Sequence, residues 1–136
     1  VVYGPNTRDR TVISTFIRMA MDGKPLLIQG DGLSHRKFIY IEDLAEGSVA
    51  ALSDSAKNQV FNLEGPKDIT VRDVAETTKE FFHGKVNIEF VEARTGDYSG
   101  KISSNDKINK ILGWKPKVEF RAGLKKFIDW QTEQRQ

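Results

Sequence analysis

The chain has 136 residues, of which 29% are charged and 38% hydrophobic, with a formal net charge of +2 and no cysteine. That length suits one domain, residues 1–136, with enough chain to bury a core, and no run approaches the roughly 20 apolar residues that a membrane-spanning helix requires. The lack of cysteine excludes a disulfide scaffold, a thiolate nucleophile and a Cys-based zinc site and points to a reducing compartment, while His35 and His83 alone leave little for any metal site.

The N-terminus reads Val1-Val2-Tyr3-Gly4-Pro5, without an initiator methionine or the regions of a signal peptide, which suggests a piece of something longer. Val12, Ile13, Phe16, Ile17 and Ala20 then follow helical spacing, stopped by Gly23 and Pro25. Leu26-Leu27-Ile28 and Lys37-Phe38-Ile39-Tyr40-Ile41 read as strands joined by the Gly30-Asp31-Gly32 turn, either as a hairpin or as two separate strands. From Glu42 a second helix carries Leu44, Ala45, Val49 and Leu52 on one face. Glu42 and Asp43 lie in its first turn, where capping and the helix dipole account for them.

Gln59 to Leu63 is a strand candidate ended by Gly65-Pro66. Thr70 stands as the N-cap of a third helix that runs through Val74, Ala75, Thr78 and Phe82 to Gly84, with Asp73 three positions past the cap. Val86 to Val91 alternates apolar and polar residues as a half-buried strand does. Arg94 to Gly100 reads as a loop, Asp106 to Leu112 as a short helix ended by Gly113, and Phe120 to Gln134 as a last helix. Helices and strands alternate, so the fold class is mixed α/β, but the strands are too few and short for a complete doubly wound sheet.

Charge is uneven along the chain. Residues 1–100 hold 12 basic and 15 acidic side chains, and residues 101–136 hold 9 and 4. A nucleic-acid interface on this basic end is disfavoured, because the net charge is small and Phe120, Phe127 and Trp130 fall at core-like spacing. The catalytic motifs fail in turn. Gly30-Asp31-Gly32 lacks the third glycine of a dinucleotide fingerprint and leads into a strand, no Gly-Lys pair continues with Ser or Thr, and no tyrosine has a lysine four residues on. What remains is a pair of arginines in glycine-bearing loops, Arg36 and Arg94, whose guanidinium forks suit phosphate.

In order along the chain, Val2-Tyr3-Gly4-Pro5, Gly23-Lys24-Pro25-Leu26, Gly30-Asp31-Gly32, Arg36 to Leu44, Arg94-Thr95-Gly96-Asp97 and Leu112-Gly113-Trp114-Lys115-Pro116 resemble the C-terminal half of the extended short-chain dehydrogenase/reductase family of nucleotide-sugar epimerases and dehydratases. The resemblance is closest to its UDP-glucose 4-epimerase branch and spans nearly all of the chain. It implies a small mixed α/β substrate-binding domain without the N-terminal dinucleotide-binding Rossmann domain and without that domain's Tyr-x-x-x-Lys pair. It therefore implies no catalytic, NAD-binding or metal-binding residue here, with NAD held by the full-length enzyme.

By position, Arg36 and Arg94 resemble the family's diphosphate-binding arginines, Asp97 resembles the acid on the ribose side, and Leu27 and Gln29 match the positions flanking the uracil. Three residues depart from the pattern: Gln29 replaces a common aromatic, Thr95 a usual proline, and Ser104 a common aspartate. The partners implied are a UDP-sugar, the parent chain's Rossmann domain and a second copy in a homo-oligomer, with neither membrane nor nucleic acid, in the cytoplasm. The isolated chain is expected to be inactive. A 4,6-dehydratase or reductase of the same family is an alternative reading, as is a stand-alone binding module.

Overall fold

The computed structural model describes residues 1–8, 10–93 and 103–135. In chain order the elements are β1 (Val2–Tyr3), α1 (Val12–Met21), β2 (Leu26–Gln29), β3 (His35–Arg36), β4 (Ile39–Tyr40), α2 (Ile41–Ala50), a 3-10 turn at Asp54–Ala56, β5 (Ile69–Thr70), α3 (Val71–Phe81), β6 (Ile88–Val91), α4 (Asp106–Leu112) and α5 (Phe120–Gln134). The mixed α/β expectation matches this order.

Among the described residues the strands form three separate pairs. β1 lies parallel to β4, β2 parallel to β6, and β3 antiparallel to β5. The Gly30-Asp31-Gly32 turn thus joins no hairpin. Its glycines take left-handed φ values of +68° and +72°, Asp31 Oδ1 accepts the Leu33 N–H at 2.9 Å, and the chain leaves β2 for β3 instead of folding back on it. The strand expected at Gln59–Leu63 is absent. The segment makes no ladder and uses Leu63 and Phe61 as packing groups against a small cluster of Ile39, Ile108 and Trp114.

Helix starts follow local chemistry. At α1 Thr11 and Ser14 cap one another: Thr11 Oγ accepts the Ser14 N–H at 3.3 Å and Ser14 Oγ accepts the Thr11 N–H at 3.1 Å. At α3 Thr70 and Asp73 make the same reciprocal pair at 3.0 and 2.9 Å, and Gly113 closes α4 in the left-handed conformation. Ile13, Phe16, Ile17 and Ala20 of α1 and Val74, Ala75 and Thr78 of α3 are buried, and these two helices pack on one another and on β2.

The main core joins these faces to α5 through Phe120, Leu124, Phe127 and Ile128. An aromatic cluster sits at its centre, with the Tyr3 ring 5.4 Å from Tyr40 and 5.6 Å from Phe120, and Tyr3 Oη donates to the Phe120 carbonyl at 3.3 Å. Gly123 lets α5 approach here, since a Cβ at that position would overlap the Tyr3 hydroxyl. Among the described residues no helix is long and apolar enough to cross a membrane.

Candidate functional site

A cavity of about 410 Å³ opens where the start of α1 faces β2 and β3. Leu27 and Gln29 reach it because alternation along β2 buries Leu26 and Ile28 and turns the intervening side chains outward. Arg36 lines it from β3, where pairing of Arg36 with Ile69 and of His35 with Thr70 fixes the strand, and its Nη1 donates to the His35 carbonyl at 2.7 Å. Three residues expected at the site, Leu27, Gln29 and Arg36, thus converge. Arg94 and Asp97 lie outside the described residues.

Arg36 also borders a second cavity of about 420 Å³ with His35, Lys37, Glu64, Asp68 and Ser103. Here Lys37 Nζ lies 3.4 Å from Glu64 Oε2 and donates to the Ser103 carbonyl at 2.6 Å, while Ser103 Oγ donates to the other carboxylate oxygen of Glu64. In this second cavity Lys37 and Glu64 pair with one another. The first differs: its described lining holds the guanidiniums of Arg10 and Arg36 and no carboxylate. Such a concavity suits an anion.

Sequence reasoning missed Arg10, Thr15 and Ser34, which share this lining. The available signal was an arginine immediately before the helix cap Thr11, where anions are favoured. Asp43 is also misread by a capping account. The residue is 2% exposed, and its carboxylate accepts the backbone N–H groups of Lys117 at 3.0 Å and Val118 at 2.9 Å, far from its own helix start in sequence. Glu42 instead reaches solvent and pairs with Lys126 at 2.8 Å, and that ion pair, largest of several influences, holds the Lys126 amine above its ordinary range.

Among the described residues no three His, Asp or Glu side chains converge to hold a metal ion. The Gly30–Gly32 turn leads into β3 and not into a helix, so these residues do not form the pyrophosphate seat of a dinucleotide fold.

Residues 1–63 match the family described as the NAD dependent epimerase/dehydratase family. The mixed α/β architecture is also that of extended short-chain dehydrogenase/reductase structures: over 98% of this chain and 43% of the other it superposes with a TM-score of 0.90 and 26% identity on the UDP-glucuronic acid 4-epimerase of Bacillus cereus, solved in complex with UDP-glucuronic acid and NAD. Among curated relatives, the trifunctional UDP-glucose 4,6-dehydratase/UDP-4-keto-6-deoxy-D-glucose 3,5-epimerase/UDP-4-keto-L-rhamnose-reductase of Arabidopsis thaliana is 38% identical over 97% of this chain and 20% of that protein. The UDP-glucuronate 4-epimerase of Thermodesulfobacterium geofontis is 32% identical over 97% of this chain and 41% of that protein. The chain therefore spans from a fifth to about two fifths of these relatives' length. They process UDP-sugars by 4-epimerisation and by dehydration and do not single out the UDP-glucose 4-epimerase branch.

Proposed function

We propose that this chain is the UDP-sugar-binding part of an NAD-dependent nucleotide-sugar epimerase, the C-terminal portion of a longer extended short-chain dehydrogenase/reductase. The observation that carries the reading is the convergence of Leu27, Gln29 and Arg36 on one cavity with cationic lining and no described carboxylate. Leu27 offers an apolar contact and Gln29 an amide donor and acceptor to a pyrimidine, while Arg36 supplies two parallel donors to a phosphate. The chain's role is binding and orientation. The chemistry and NAD belong to a Rossmann domain with its own Tyr-x-x-x-Lys pair.

The resemblance to UDP-glucose 4-epimerases makes UDP-glucose one candidate substrate, and similarity to the UDP-glucuronate 4-epimerase adds UDP-glucuronate. A second reading, 4,6-dehydration of UDP-glucose, is favoured by similarity to the trifunctional plant enzyme, and detection of a 4-keto-6-deoxy product separates it from epimerisation.

Titration of UDP, UDP-glucose and UDP-glucuronate into the protein and its R36A variant tests the binding site. Loss of one charge-assisted contact weakens UDP binding about 10- to 150-fold, and R36K recovers only part of it. Unchanged affinity in folded R36A, or no binding by the unaltered protein, overturns the reading.

A further inference from the structure

We infer that Arg10 is a further phosphate-binding residue of this cavity, acting on a nucleoside diphosphate from the α1 wall while Arg36 acts from the β3 wall. The inference rests on the proposed function and adds to it a residue that family resemblance did not supply. Arg10 lies one position before the cap of α1 and lines the same cavity as Arg36, Gln29 and Leu27.

Three observations carry it. First, Arg10 and Arg36 line the same cavity and no described residue of that lining is acidic, which makes the concavity favourable to an anion. Second, Thr11 and Ser14 are occupied with one another, their hydroxyls 2.9 Å apart, which leaves Arg10 as the charge-bearing side chain of the α1 wall. Third, the volume of about 410 Å³ falls within the range of small-molecule pockets, as a nucleoside diphosphate requires. An anion with two phosphates matches two guanidiniums on facing walls, and guanidinium forks suit phosphate better than a point charge.

The test is calorimetric titration of UDP and of uridine into the unaltered protein, R10A, R10K and R36A, with thermal melts to confirm folding. Arg10 on a phosphate predicts that R10A weakens UDP about 10-fold or more, leaves uridine binding unchanged, and is partly rescued by R10K. R10Q, which keeps part of the stem, replaces R10A if the alanine variant melts differently. Unchanged UDP affinity in R10A beside a loss in R36A overturns the inference and leaves the proposed function standing. Equal losses for UDP and uridine in R10A also overturn it, since phosphate would not be what Arg10 reads. Failure of the unaltered protein to bind UDP overturns both.

Discussion

Asp43 holds the backbone N–H of Lys117 at 3.0 Å across 74 positions of sequence, and its second oxygen holds Val118. One buried carboxylate thus fastens the segment between α4 and α5 to the first turn of α2. D43A removes both acceptors and leaves two part-buried amides without them, at a cost of about 2–4 kcal/mol. D43N restores one acceptor and sets an amide donor against the other N–H, so it recovers only part. Urea unfolding of both variants checks this, and a D43A midpoint equal to the unaltered protein's refutes it.

Gly65 predicts the sharpest single-methyl effect. A Cβ there would overlap the Phe38 carbonyl oxygen, which is backbone and has no rotamer by which to withdraw. G65A costs about 3 kcal/mol or more and shifts the segment between Arg36 and Ile39, so UDP binding should weaken along with stability. G123A meets the Tyr3 hydroxyl, the end of a side chain, and costs about 1–3 kcal/mol without that second effect. Paired melts and UDP titrations distinguish the two.

Burial holds the Tyr3 phenol well above its ordinary range and raises Tyr40 as well; neighbouring Tyr40, Asp43 and Glu119 add to the effect on Tyr3. Tyr3 stays protonated in the folded chain where unfolded tyrosines ionise, near pH 10, and Tyr40 shifts in the same direction, so the folded state binds more protons there. Their contribution is complete below about pH 10 and is lost as pH rises from there toward the folded-state values, with a slope of up to about 1.4 kcal/mol per pH unit for Tyr3. Y3F should flatten the decline between pH 10 and 11.5 in urea midpoints; an unchanged slope refutes the assignment.

Thr70 caps α3 through its hydroxyl and through the returning Asp73 carboxylate. T70A costs about 1 kcal/mol and T70S almost nothing, since serine keeps the acceptor. Thermal melts should show a fall of roughly 4 °C for the alanine variant and little for serine.

The sequence was most legible where structure is local. Thr70 with Asp73, Gly113, and the apolar stripes of α1, α3 and α5 can each be read within a few residues because capping and helical burial act over a turn or two. Strand partners were not legible, since Leu26 meets Ile88 and Val2 meets Ile39, and short apolar runs carry no mark of their mates. Gln59 to Leu63 has strand-like composition, but only Phe61 and Leu63 pack inward while Val60 is exposed, and that packing does not require a ladder. At the site, alternation along β2 placed Leu27 and Gln29 together, whereas Arg10 enters from the turn before α1, whose distance to β3 only tertiary folding decides. Asp43 was hidden for the same reason: its partners are amides, and amides leave no signature in sequence.

The three strand pairs have a consequence for how the molecule forms in time. Each of them joins remote stretches, so every pairing must first close a long loop, and the entropy of that closure is spent before any contact rewards it. Because β2 and β3 supply walls of the cavity opposite the start of α1, the nucleotide site proposed above is complete only once those pairings have closed.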